Sequence, residues 1–324
     1  MTIGEYQSLA AEVLAGKEKI AVLQSRLREV EDKREAGRVF NEVKKELEER
    51  EARKEKGAAT PINDVTLPAA KRDKGHKHPI SQAMEEIERI FAQIGFVRVR
   101  HPELDTDYFA FESLNMPPTH PARDEWETFF VDNPDAPEQK NLVLTPHTTN
   151  GDVREMLRLK SQPPVRMINI GRCYRRQQDA THTQMFHQFD GLVIDKDINI
   201  THLKGVLDHF AREFYGPDVR SRIRPFHFQF TEPSFEIDFS CHLCHGTGKI
   251  GETKCRFCKS GWHEVGGAGM IHPNVLRAGG IDPDVYSGLA FGWGIERTYT
   301  LKSGLNIDDI RQFYTNNLDF LGQF

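Results

Sequence analysis

GRCYRRQQDATHTQMFHQFDGLVI, residues 171–194, reads as a strand, a polar loop and a second strand. Alternation along the second strand puts Phe186, Gln188 and Asp190 on one face and His187, Phe189 and Gly191 on the other. A ring, an amide and a carboxylate on one face can receive a flat ring and a small amine. Arg175, at the end of the first strand, offers a forked guanidinium suited to phosphate. A surface hairpin with solvated charges explains any one of these residues alone, but explains the combination poorly.

Working outward, further strands are expected at Val97–Val99, Val165–Tyr174, Met185–Val193, Phe226–Phe230, Glu236–Phe239, Trp262–Val265 and Ser287–Gly292. Tight loops between consecutive strands predict an α+β fold, a mostly antiparallel sheet with helices on one side. Pro79–Ile94, with Ile80, Met84, Ile87 and Phe91 on one face, predicts a helix packed on that sheet. In YSGLAFGWGIERTYTLKSG (286–304), Ala290, Gly292 and Gly294 share a strand face and leave a gap where side chains normally stand, and Arg297 opens the next helix. In FHFQFTEPSFEID (226–238), Phe226, Phe228 and Phe230 alternate toward one face. They line either a pocket for a phenyl ring or an ordinary core. No GxGxxG or GxxxxGK[ST] loop occurs, so a nucleotide has to be held by other means.

Residues 1–56 differ from the rest, being proline-free and crowded with Glu, Lys and Arg. Leu9, Val13, Ile20, Leu23, Leu27 and Val30 form one apolar seam, and Phe40, Val43 and Leu47 form another. Two such stripes predict an antiparallel helical arm with breaks at Gly16 and Gly37. Residues 57–77 read as a linker with one short strand at Asp64–Leu67, and 78–324 as the main domain. The net charge of −5 excludes a broadly basic nucleic-acid protein, so any RNA contact has to be local or come from another chain. The absence of an 18-residue apolar run and of a signal-peptide core predicts a cytoplasmic protein without membrane contact.

Four of the five cysteines stand as C-x2-C-x10-C-x2-C: Cys241, Cys244, Cys255 and Cys258. Thiolates at this spacing close a tetrahedral zinc site, and four ligands leave no open position, so the expected zinc is structural. It would brace a hairpin inserted at 240–262, with His242, His245 and His263 as spare ligands. Cys173 reads as a buried strand residue.

These motifs together carry a resemblance. Gly171–Arg175 with THTQMFHQFDG looks like motif 2 of the class II aminoacyl-tRNA synthetases, in the form found in phenylalanine-specific alpha subunits of bacterial type. GLAFGWGIER looks like motif 3, and His78–Gly95 with the stretch HPELDTDYFAFESLNMPPTHPARDEWETFF is similar to the motif 1 region. The resemblance implies that Arg175 holds the ATP α-phosphate and that Phe186 stacks on adenine with Arg297 on the other side, Gln177 standing where an acidic residue often meets adenine. Trp126, His147, Thr149, Gln188 and Asp190 would surround the ammonium group of phenylalanine. Phe228 and Phe230 would pack edge-on against its ring, with Ala290 and Gly292 as the pocket floor. Glu232 resembles a magnesium-binding carboxylate of the family. Asp190 stands where a glutamate is common, one methylene shorter, and LTPHTTNGD differs from the usual LRTHTS stretch.

The implied activity is ATP-dependent formation of phenylalanyl-adenylate and transfer to tRNA(Phe). The chain ends about 25 residues after motif 3, so the resemblance implies a larger beta subunit in an alpha2beta2 assembly, the arm touching tRNA. Two other readings compete. One is a related enzyme for phosphoserine or a pyrrolysine-like amino acid, where the Phe228/Phe230 pocket and Ala290 argue against a phosphorylated side chain; the other, a non-catalytic RNA-binding paralogue, has no need of both Arg175 and Arg297.

Overall fold

The structure, a computed structural model, describes residues 1–57, 75–121, 123, 127–132, 142–178, 182–258, 260–302, 307 and 309–324. The expected strand at Asp64–Leu67 and the residue Trp126 lie outside the described residues. The chain divides into two compact units, Met1–Lys74 and Gly75–Phe324.

The first unit holds α1 (Ile3–Leu14), α2 (Ile20–Arg26) and α3 (Lys33–Gly57). Both apolar stripes contribute to one small core of Tyr6, Ala10, Val13, Leu23, Val30, Ala36 and Val43. Gly16, at φ +72°, ends α1 as expected. Gly37 does not break the chain, because α3 begins at Lys33 and runs through it. The break falls instead before Asp32, whose side chain accepts from the backbone N–H groups of Arg34 and Glu35 at 3.1 and 3.0 Å. An aspartate cap satisfies the open donors of the first turn, whereas a mid-helix glycine costs only about 1 kcal/mol. The arm is therefore three helices rather than two.

The second unit opens with α4 (Pro79–Ala92), capped by His78 with Pro79 in its first turn. There follow β1 (Val97–Val99), β2 (Leu104–Thr106), α5 (Asp107–Ala110), β3 (Phe130–Val131), β4 (Leu142–Leu144), α6 (Asn150–Arg158), β5 (Val165–Tyr174), β6 (Met185–Asp195) and α7 (Ile200–Tyr215). The chain continues through β7 (Ser221–Phe228), β8 (Thr231–Ser240), β9 (Lys249–Ile250), β10 (Thr253–Lys254), β11 (Trp262–Ile271), α8 (Pro273–Ala278), β12 (Ser287–Gly294), α9 (Ile295–Thr300) and α10 (Leu318–Leu321).

Seven strands form the main sheet in the order β1-β5-β6-β12-β11-β8-β7, antiparallel except for β1 beside β5. Helices cover both faces, where one side was expected. Ile87, Phe91, Phe210 and Phe214 of α4 and α7 pack on Ile168, Phe189, Phe291 and Trp293. On the other face Val153 and Met156 of α6 and Val275 and Leu276 of α8 cover Met167, Leu192 and Ile194. This second layer is partial, and the uncovered stretch of the sheet becomes the floor of a pocket. No helix among the described residues is long and apolar enough to cross a membrane.

Candidate active site

The pocket is built on strand register. Asn169, Asp190, Gly292, Gly267 and Glu236 are successive partners across β5, β6, β12, β11 and β8, so they stand in one row on one face. The two glycines open a gap between the two acids. A Cβ at Gly292 would overlap the Asp190 carboxylate, and one at Gly267 would come within 2.6 Å of the Phe228 ring. The cavity above them has a volume of about 420 Å³.

His147, Thr149, Arg175, Gln177, Phe186, Gln188, Asp190, Phe228, Phe230, Ala290, Gly292 and Arg297 all line this one cavity. At one end the Arg175 guanidinium carbon lies 5.0 Å from the centroid of the Phe186 ring, while its Nε donates to the Pro146 carbonyl at 2.9 Å. That bond helps to orient the guanidinium fork at this end of the cavity. Arg297, in the first turn of α9, is exposed at the rim. At the other end the Phe228 and Phe230 rings stack at 5.6 Å and 16°. Ala290, opposite Gly269 on β11, keeps that end narrow but open.

Between the two ends lies the polar centre. Thr149 Oγ1 donates to Asp190 Oδ2 at 2.6 Å, and Gln188 Nε2 donates to Asp190 Oδ1 at 3.2 Å. Burial pushes the Asp190 carboxyl up to about 6, against the opposing pull of these two donors. Burial, reinforced by the Arg175 charge, holds His147 down to about 3, so its ring is neutral at working pH. The Cys173 thiol is buried and pushed well up by that burial, which makes it a packing residue rather than a nucleophile.

Glu232 is not among the residues that line the cavity. Its side chain is 73% exposed and faces His272, Nε2 to Oε2, at 3.3 Å. The carboxylates that do reach this end of the cavity are Glu236 and Glu264, both paired to Arg224 at 2.7 and 3.1 Å. Sequence reading passed over them, since an acid in a strand ordinarily faces solvent. Asp152 was missed for a different reason, since an acid in a helix's first turn ordinarily faces solvent and complements the helix dipole. It stands in the first turn of α6 and lines the cavity, only 3% exposed.

Outside the pocket, the four sulfurs of Cys241, Cys244, Cys255 and Cys258 are buried and lie within 4.8 Å of one another. Cys244 Sγ and Cys258 Sγ are 3.5 Å apart, near the about 3.8 Å that a tetrahedral zinc–thiolate site requires. Gly248 and Gly261 donate backbone N–H to Cys244 and Cys258 at 3.2 and 3.1 Å, and both glycines have positive φ, as tight knuckles demand. The residues fit a zinc ion. His242, His245 and His263 do not join the cluster. The insertion is closed at its base by the pairing of Ser240 with Trp262.

A model of the class II tRNA synthetase core domain (F) matches residues 62–324. The phenylalanine–tRNA ligase alpha subunit of Symbiobacterium thermophilum is 43% identical over 99% of this chain and 94% of its own length. The chain belongs to the family of phenylalanine–tRNA ligase alpha subunits. The proteins of that name from Lachnoclostridium phytofermentans and Clostridium perfringens are 46% and 43% identical, covering 91% and 89% of this chain and 85% and 83% of their own lengths. Membership of this enzyme family accounts for the large antiparallel sheet of the class II core.

Proposed function

We propose that the chain activates phenylalanine with ATP and transfers it to tRNA(Phe), working with a beta subunit in an alpha2beta2 assembly. The observation that supports this reading most is a single cavity that joins an arginine-and-ring end, a buried carboxylate centre and a stacked-phenylalanine end. These suit, in turn, the α-phosphate and adenine, the substrate ammonium, and the substrate ring.

The carboxylate oxygen of phenylalanine attacks the α-phosphorus in line. The bond to the β-phosphate oxygen breaks, and pyrophosphate leaves with the electron pair. Arg175 takes up charge building on the α-phosphate oxygens, and Arg297 closes over the nucleotide from the rim. Asp190, held by Thr149 and Gln188, fixes the ammonium, so the attacking oxygen meets the phosphorus in one orientation. A terminal ribose hydroxyl of tRNA then attacks the activated carbonyl and AMP departs. Magnesium carried by ATP would supply further charge neutralisation. Glu232, the carboxylate that the resemblance implies for it, stands 73% exposed outside the cavity lining, and Glu236 and Glu264 are already paired to Arg224.

The four-cysteine hairpin holds structural zinc in this reading, with no part in the chemistry. The three-helix unit serves as the tRNA-contacting arm, and 78–324 as the catalytic domain. The test is amino-acid-dependent ATP–pyrophosphate exchange with all twenty amino acids, on the tagged chain purified from its host with whatever accompanies it. Exchange with phenylalanine, reduced about 10²–10³-fold by Arg175→Ala, is the expected result. Exchange with none of the twenty, despite a co-purified large subunit, would favour an RNA-binding role instead.

A further inference from the structure

Asp152 is a buried acid without a stated task. Asn150, Gly151 and Asp152 start α6 immediately after Thr149, which binds Asp190. The start of this helix is held in place from two sides. A Cβ at Gly151 would come within 2.5 Å of Asn169 Nδ2 and 2.6 Å of His101, so the helix end lies directly against β5. Asn150 Nδ2 and Arg154 Nε both donate to Asp105 at 2.8 Å. The Asp152 carboxyl is thereby carried into the cavity beside Asp190.

Its Oδ1 atom is fully buried and has no hydrogen-bond partner among the described residues. Burial and the neighbouring Asp190 charge push its carboxyl well above the usual range. A buried, unpartnered acceptor is costly and ordinarily has a ligand or a task. Asp190 alone serves an ammonium group incompletely. Each of its oxygens already accepts one hydrogen bond, and its side chain is folded back over Gly292. An ammonium brings three N–H donors and a positive charge, which two apposed carboxylates match better than one.

We propose, on the basis of the phenylalanine-activating reading above, that Asp152 is a second carboxylate for the substrate's ammonium, gripping it together with Asp190. The pair makes the free amine the feature selected at the polar centre. Amino acids carrying an acylated or otherwise uncharged nitrogen are excluded, because nothing then offsets two adjacent acids.

The test separates ammonium recognition from general damage by using two fragments of the substrate. Phenylalaninol keeps the ammonium and lacks the carboxylate, while 3-phenylpropionate keeps the carboxylate and lacks the ammonium. Both are used as competitive inhibitors of phenylalanine-dependent pyrophosphate exchange, on the purified assembly carrying wild-type chain, Asp152→Asn or Asp152→Ala. Asp152→Asn is nearly isosteric, and Asp152→Ala removes the carboxyl from the cavity lining. The KM for ATP and the melting temperature report whether each variant is intact. The expected result is a rise of about tenfold or more in the KM for phenylalanine and in the Ki of phenylalaninol, with the Ki of 3-phenylpropionate and the KM for ATP within about twofold of wild type. Equal weakening of both inhibitors, or no change in either, would overturn the inference while leaving the proposed reaction standing. A wild-type assembly that does not activate phenylalanine would overturn both.

Discussion

At the residue scale, two side chains set what the cavity accepts. Ala290, buried between Leu192 on β6 and Gly269 on β11, projects a single methyl into the ring end. Ala290→Gly removes that methyl. It should admit para-substituted phenylalanines, raising their kcat/KM by about 10–200-fold at small cost to phenylalanine, as pyrophosphate exchange with para-chlorophenylalanine will read. Asp190, with Asp152 beside it, sets the pH response. Its carboxyl, raised to about 6 first of all by burial, holds an ammonium only when ionised. Below that value protonation opposes binding, and above it the carboxylate is present. The KM for phenylalanine should therefore fall about tenfold from pH 5 to pH 7, while the KM for ATP follows a different course. A pH-independent KM for phenylalanine would remove Asp190 from the ammonium contact.

At the element scale, α6 matters more than its nine residues suggest. Thr149, which precedes it, and Asp152, in its first turn, both enter the cavity, so a small shift of the helix moves two polar contacts together. Asp105 on β2 is the anchor. Its fully buried carboxylate accepts from Asn150, from the backbone of Thr106 and from both Nε and Nη2 of Arg154. Arg154 in turn lies 3.9 Å over the Phe109 ring. Asp105→Ala leaves those donors facing nothing and should destabilise the chain by about 3 kcal/mol in denaturant unfolding. Its effect on exchange should appear mainly in the KM for phenylalanine.

At the scale of the whole molecule, the metal hairpin and the cavity belong to one unit, Gly75–Phe324, but none of the four cysteines lines the cavity. Four thiolates close a coordination shell, leaving no position for substrate. Metal analysis should find one zinc per chain. Removing it with a strong chelator should lower the melting temperature by several degrees, and Cys241→Ser should reduce phenylalanine-dependent exchange far less than Arg175→Ala. Loss of activity equal to that of Arg175→Ala would make the zinc part of the catalytic site.

Sequence alone determined the features that depend on local periodicity and spacing. Period-two alternation marked β6 and β12 to within two residues of their observed ends, the stripe of Ile80, Ile87 and Phe91 marked α4, and the CxxC pairs marked the metal cluster. The arm was legible in its apolar seams but not in its helix count. Gly37 is a weak breaker that packing overrides, and the Asp32 cap, with Glu35 three residues on, was the signal that could have given the boundary. Beyond Asp190, which alternation placed on the site face, tertiary structure decided which acids face the pocket. Asp152 and Glu236 look like solvated charges in sequence and Glu232 like a site residue, since nothing local distinguishes an acid pointing at water from one pointing into a cavity. Sheet register put Glu236 in the row with Gly267, Gly292 and Asp190, packing against Asn169 and His101 buried Asp152, and the end of the β7–β8 hairpin left Glu232 outside. Contacts between segments far apart in the chain set these positions, and periodicity carries no trace of them.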